Sequence, residues 1–311
     1  MTDYKPEGIL IDTPENRAAI RNLSSLTEAM QNERILEARA VICDSEHNLI
    51  GPLGNGIRGI IPRTEGALGI AEGTTRDIAI ISRVNKPVCF TVTGFSRDEN
   101  GRQTALLSRR AAQQRCMEEY IQNLLPGDVI DGRVTHLESF GCFVDIGCGI
   151  SSLIPIDSIS VSRISHPSER FRVGQLIRAV VRLNDGNRVT LSHRELLGTW
   201  EENAAIFRSG ETVAGIIRSV EPYGVFVELT PNLAGLAEPR EGAVPGQQAS
   251  VYIKSIIPER MKLKLILVDA FEAEYQTPEP EYFFHGEHMD RWEYSPPGAV
   301  RKVETVFSEE A

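Results

Sequence analysis

The chain has 311 residues, 33 Lys/Arg against 43 Asp/Glu, and a net charge of -10. That length allows two or three small domains, and the acidic balance argues against tight nonspecific duplex binding, which needs a surplus of cations on phosphates. No apolar run approaches the ~18 residues of a membrane span.

The opening MTDYKPEGIL lacks the basic and apolar regions of a secretory signal. Five cysteines without Cys-x-x-Cys spacing read as reduced small hydrophobes, so a cytoplasmic location is expected. Residues 1–32 form an N-terminal helical extension. Thr13 can cap a helix with Pro14 at its first position, placing Ile20, Leu23, Leu26 and Met30 on one face. Residues 33–112 read as a first, degenerate barrel, followed by a helical linker at 113–125. Within that barrel, GNGIRG (54–59) matches the dinucleotide fingerprint but opens no helix, and Pro62 follows closely. A turn between short strands explains its glycines, so no nucleotide cofactor is expected.

The next two segments are one pattern written twice. Residues 127–147 read GDVIDGRVTHLESFGCFVDIG and residues 210–229 read GETVAGIIRSVEPYGVFVEL. By period-two alternation Cys142, Val144 and Ile146 share one strand face, and Phe143 shares the other with Asp145. In the second copy Val225, Val227 and Leu229 share a face, and Phe226 sits with Glu228. A phenylalanine on a polar face, with a second aromatic three residues earlier (Phe140, Tyr223), suggests a surface for stacking flat ligands. Base–aromatic stacking is worth about 1–3 kcal/mol per base and tolerates any sequence. The alternative for Phe140 and Phe143 is core packing, with Gly141 introducing a bulge.

Ser108 and Ser192 are 84 residues apart and Gly127 and Gly210 are 83 apart, a period suited to tandem barrels joined by short helices. The second barrel spans 126–197, with five strands near 128–137, 141–147, 150–155, 175–183 and 187–192 and a longer connection at 157–173. That layout fits the five-stranded Greek-key OB barrel. A helical linker at 198–208 leads to a shortened third barrel at 209–269. The fold class is therefore mostly β, as tandem OB barrels. Residues 270–311, rich in proline and acids, are expected to lack a fold of their own. Residues 269–311 carry eleven Asp/Glu against three Lys/Arg, and so would screen phosphate near the third barrel.

GDVIDGRVTHLESFGCFVDIG, then FRVGQLIRAVV, then NRVTLSHREL, resembles the RNA-binding repeat of the bacterial ribosomal protein S-one family, and the whole chain is similar to its short Gram-positive forms. The match falls off from the second barrel to the third to the first. The resemblance implies RNA lying across two aromatics, a histidine, an acidic residue and a basic residue. Position by position these become Phe140, Phe143 and Arg188, while the histidine slot holds Pro155 and the acidic slot Asn184. His166, flanked by Arg163, Arg170 and Arg172, would compensate. In the third barrel Tyr223, Phe226 and Lys262 match, and Glu238 fills the histidine slot, so the second barrel is expected to bind best. The implied partners are single-stranded RNA or mRNA and the small ribosomal subunit, in translation. Alternatives are a free regulator of mRNA stability or transcription, and a protein-interaction scaffold whose aromatics bind peptide. No nucleophile–base–acid set appears, so no enzyme is expected. His285 and His288 with Glu287 and Asp290 read as solvated, so no metal is expected.

Overall fold

Thr13 starts the first element in the computed structural model, which describes residues 4–97, 101–186, 188–273 and 278–307. Its hydroxyl accepts a hydrogen bond from the Asn16 N–H, and Pro14 occupies the first position of α1 (Pro14–Ala19). The expected single helix is two. Asn22 begins α2 (Leu23–Gln31) with its own capping box, its side chain accepting from the Ser25 N–H while Ser25 answers the Asn22 N–H. Leu26 and Ala29 are buried in the first core, with Ile20, Leu23 and Met30 packed against it.

The chain forms two units, Met1–Leu124 with Asp145–Ser151, and Leu125–Val144 with Ser152–Ala311. The first contains a six-stranded sheet of β1 (Leu36–Arg39), β2 (Ile42–Cys43), β3 (Leu49–Pro52), β4 (Arg58–Ile61), β5 (Pro87–Arg97) and β6 (Gln103–Ser108), in the order β1-β5-β6-β4-β3-β2. A short α3 (Ile78–Ile81) lies in the β4–β5 connection, and α4 (Arg109–Glu119) follows β6. Its curl has a simple origin. Between Arg39 and Ile42 the chain changes partner: the Ala40 N–H donates to Lys86 O at 3.1 Å, and the Val41 N–H to Ile50 O at 2.8 Å. One strand is thus broken into β1 against β5 and β2 against β3. In GNGIRG, Gly54 and Gly59 serve packing, since a Cβ on Gly54 would lie 2.3 Å from Arg21 O and one on Gly59 2.8 Å from Leu107 Cδ1, while Gly56 serves the turn with φ +73°.

Two closed barrels follow. The second barrel is built from β7 (Val129–Glu138), β8 (Gly141–Asp145), β9 (Ser151–Pro155), β10 (Leu176–Asn184) and β11 (Val189–Ser192), ordered β10-β11-β9-β8-β7. After α5 (Trp200–Ala204), the third is built from β12 (Thr212–Glu221), β13 (Gly224–Thr230), β14 (Leu233–Ala237), β15 (Gln248–Ile257) and β16 (Lys262–Phe271), ordered β12-β13-β14-β16-β15. If β1 and β2 count as one strand, the first sheet has this same cyclic order. All three modules share one parallel pair, between the third strand and the last: β4 with β6, β9 with β11, β14 with β16. This is OB-barrel topology three times over.

The expectation that 270–311 lacks a fold does not hold for residues 278–307. Met289, Trp292, Tyr294 and Phe307 are each at most 7% exposed and belong to the core of the third barrel, which Val180 of the second also joins. The segment extends β7, with the Val129 N–H donating to Glu287 O and the Met289 N–H to Gly127 O. Arg178 donates to Phe284 O and Gly286 O. Then β17 (Arg291–Glu293) and β18 (Glu304–Val306) form a hairpin. Burying such apolar groups at about 25 cal/mol per Å2 outweighs the low local hydrophobicity from which disorder was expected.

Candidate nucleic-acid interface

Phe140 sits in the β7–β8 turn and Phe143 in β8, between Cys142 and Val144, which are fully buried. The glycine between the two aromatics is required by close packing: a Cβ on Gly141 would lie 2.4 Å from Ile154 O of β9. The third barrel repeats this at Gly224, whose Cβ would lie 2.5 Å from Ala237 O of β14. With each strand drawn in, the aromatics meet edge to face. The Phe140 and Phe143 ring centroids are 6.0 Å apart at 89°, and those of Tyr223 and Phe226 are 6.2 Å apart at 89°. Phe140 is 55% and Tyr223 66% exposed, while Phe143 and Phe226 are half-buried. Each barrel thus offers one ring face to solvent, backed by a second ring fixed in the sheet.

The strands around Phe226 carry the rest of the third site. Phe226 pairs with Leu236 across β13 and β14, and Leu236 pairs with Lys264 across β14 and β16. Phe226, Leu236 and Lys264 therefore form one cross-strand row, and Lys262 shares the face of Lys264 by alternation. Tyr223, Phe226, Lys262, Lys264, Arg260 and Arg301 line an open cleft of about 930 Å3 that no Asp or Glu lines. Lys262 is expected from the sequence and Lys264 is not, although the alternation KLKLILV that starts β16 carries that signal. No sequence pattern points to Arg301.

The other expected residues are used differently. His166 caps a short turn at Pro167–Glu169, its ring accepting from the Ser168 N–H at 3.2 Å while Glu169 accepts from the His166 N–H. Asn184 ends β10 and accepts from the Gly186 N–H at 3.0 Å. Arg188 is exposed beyond that turn, its N–H donating to Asp185. Where the third barrel has Lys264 paired with Leu236, the second has Thr190 paired with Leu153. Of the three arginines flanking His166, which was expected to compensate for Pro155, two are engaged. Arg170 is 8% exposed and bonded to Glu228 at 2.5 Å, and Arg172 pairs with Glu279 at 2.6 Å. Cation placement thus favours the third barrel over the second.

The acid that shares a face with the second aromatic is buried in both copies, against the expectation of a solvated face. Glu228 is held by Arg170 and by both Nε and Nη2 of Arg218, which also pairs with Glu169. Asp145 accepts from the N–H groups of Glu7, Gly147 and Gly149 at 2.8–3.0 Å. Burial, with Glu7 close by, pushes its carboxyl up to about 6. Glu7 itself is held ionised by Arg109 and Arg83. In the C-terminal segment His288 bonds Asp128 at 2.7 Å, which raises its pKa. Among the described residues no three His, Cys, Asp or Glu converge as metal ligands, and no helix is long and apolar enough to cross a membrane.

Parallel third-and-fifth strands and closed five-stranded barrels define a tandem OB-fold protein, here with paired surface aromatics. Residues 125–194 match the family described as S1 RNA binding domain, and the chain is similar over most of its length to bacterial small ribosomal subunit proteins bS1. The bS1 of Staphylococcus aureus (strain COL) is 28% identical over 263 residues, which cover 79% of this chain and 64% of that protein. The bS1 of Rhizobium meliloti (strain 1021) is 30% identical over 191 residues, covering 57% and 33%, and the bS1 homolog of Bacillus cereus is 28% identical over 240 residues, covering 71% and 60%. The chain therefore spans under two thirds of the length of these relatives. Among solved structures, a multidomain protein with nucleic acid binding domains from Streptococcus pneumoniae aligns over 78% of this chain and 75% of its own at 14% identity and a TM-score of 0.25.

Proposed function

We propose that the chain binds single-stranded RNA by stacking bases on Phe140/Phe143 and Tyr223/Phe226, and acts in the cytoplasm at the small ribosomal subunit, holding mRNA for translation. The observation that carries this reading is the duplicated pair: the same edge-to-face geometry, locked by the same glycine, at equivalent points of two barrels. An exposed ring backed by a fixed one loses little conformational freedom when a base stacks on it. Phosphates would meet Arg188 in the second barrel and Lys262 with Lys264 in the third. Two sites in one unit add avidity for a strand long enough to span both.

The test is titration of the full chain with a labelled single-stranded oligonucleotide, together with co-sedimentation with small ribosomal subunits. Phe143→Ala combined with Phe226→Ala should abolish most of the RNA affinity and leave the folded state intact. RNA affinity unchanged in that double variant would overturn the stacking site. RNA binding without sedimentation on subunits would favour a free RNA-binding regulator. Neither activity would favour a protein-interaction scaffold.

A further inference from the structure

We infer that the C-terminal segment forms part of the RNA site of the third barrel, with Arg301 as a phosphate-binding residue; this rests on the stacking reading above. By composition the segment should repel RNA. Three of its six described acids are instead paired with cations: Glu279 with Arg172, Glu293 with Arg291, and Glu304 with Arg291 and Lys302. Arg301 is different. It is exposed, it lines the cleft with Tyr223 and Phe226, and its guanidinium has no carboxylate partner among the described residues. Arg260, Lys262 and Lys264 line the same cleft and are likewise without carboxylate partners. Four cations without carboxylate partners among the described residues, around two edge-to-face rings, match the polyanionic, aromatic character of a single strand.

The loop that carries Arg301 is fixed, not trailing. Ser295 is buried, donates to Arg301 O at 2.9 Å and accepts from the Val303 N–H at 2.6 Å. The Tyr294 N–H donates to Val303 O, and the Tyr294 hydroxyl donates to Asn232 O at 2.6 Å at the start of β14. At the loop's far side the Val300 N–H donates to Glu259 O, beside Arg260 in the β15–β16 turn. The backbone of residues 294–303 is thereby tied to two edges of the third barrel, and Arg301 is held between them. The third barrel lacks the long connection that follows β9 in the second barrel. The C-terminal loop supplies a wall and a cation of its cleft.

The test titrates the full chain with a fluorescent single-stranded oligouridylate across a salt series, comparing Arg301→Gln, Lys302→Gln and Phe226→Ala. Arg301→Gln should weaken binding by about two- to fivefold at low salt and reduce the slope of log affinity against log salt by about 0.7, one phosphate contact on a single strand. Lys302→Gln, which removes a cation already paired with Glu304, should change neither. Wild-type affinity and slope in Arg301→Gln, with binding weakened by Phe226→Ala, would overturn the role of the C-terminal segment and leave the stacking reading standing. Wild-type binding in both Arg301→Gln and Phe226→Ala would overturn both. An equal slope change in Lys302→Gln would overturn the assignment to Arg301, showing a diffuse field in place of a contact.

Discussion

Arg170 of the second barrel's long connection lies 2.5 Å from Glu228 of the third barrel's β13, with both side chains less than a tenth exposed. Arg218 approaches the same carboxylate from within the third barrel. Removing one member of a buried ion pair leaves the other uncompensated and costs about 3–5 kcal/mol. The two ends of this network are unequal. Glu228→Ala removes a carboxylate shared by two buried guanidinium groups, of which Arg218 keeps Glu169, whereas Arg170→Ala leaves Glu228 still bonded to Arg218. Urea unfolding followed by tryptophan fluorescence should show the larger loss in Glu228→Ala, with Arg170→Ala at roughly half of it. Equal losses would mean that Arg218 does not share the carboxylate.

The two stacking sites should contribute unequally. Phe226 stands among four cations without carboxylate partners among the described residues, and Phe143 has Arg188 with Thr190 where the third barrel has Lys264. Phe226→Ala should therefore weaken RNA binding by about 2–3 kcal/mol and Phe143→Ala by about 1 kcal/mol, within the range for one stacked base. Titration of the two single variants at one salt concentration checks the ranking, and a larger loss in Phe143→Ala would reverse it.

Gly224→Ala should damage the third barrel more than its single methyl suggests. The new Cβ would meet Ala237 O at 2.5 Å, a backbone atom of a hydrogen-bonded neighbour strand that cannot swing away. Overpacking of this kind costs about 1–3 kcal/mol. Because the strain falls between Tyr223 and Phe226, RNA affinity should fall with stability. A thermal melt at wild-type temperature with normal RNA binding would show that β14 yields.

Mild acid should act oppositely on the two units. In the first, burial pushes Glu37 up to about 7 and Asp145 up to about 6. The native state holds those protons more tightly than the unfolded chain, so this contribution is full below about pH 4.5 and is lost as pH rises toward 7. In the second, burial pushes His193 down to about 4. Its contribution is full above 6.5 and is lost as pH falls toward 4. His288, raised but exposed, opposes this only weakly. For the buried groups Glu37, Asp145 and His193 each shift corresponds to about 3 kcal/mol. The only two tryptophans, Trp200 and Trp292, lie in the second unit, so fluorescence melts report it alone. Their midpoint should fall between pH 6.5 and 5, and His193→Gln should flatten the fall. Hydrogen exchange in Leu36–Arg39 should slow over the same interval beyond the intrinsic pH effect, and Glu37→Gln should remove that gain.

Much of this architecture is legible in the sequence because it is local. Alternation and glycine turns place every strand end of the second barrel within two residues of its observed position. The same alternation separates Phe143 and Phe226 from their fully buried neighbours. What the sequence hides depends on distant partners. Alternation assigns Glu228 to an outer face, and only the fold shows that Arg170 covers that face. Met289, Trp292, Tyr294 and Phe307 are too widely spaced, among prolines and acids, to announce a core. Arg301 sits in a segment whose composition points the other way, and its place in the cleft follows from the hydrogen bonds of Ser295 and Val300.

The C-terminal hairpin also sets an order of assembly. The strands of the second barrel are all present once Ser192 has been made, and those of the third once Phe271 has. The third barrel's core is not closed, however, until residues 289–307 arrive to cover it, and the Tyr294–Asn232 bond closes a separation of 62 residues. During synthesis the third barrel therefore waits with apolar surface open, a state prone to association with other nascent chains. A late, non-local closure slows folding. The binding unit is finished only after residues 289–307 have been made.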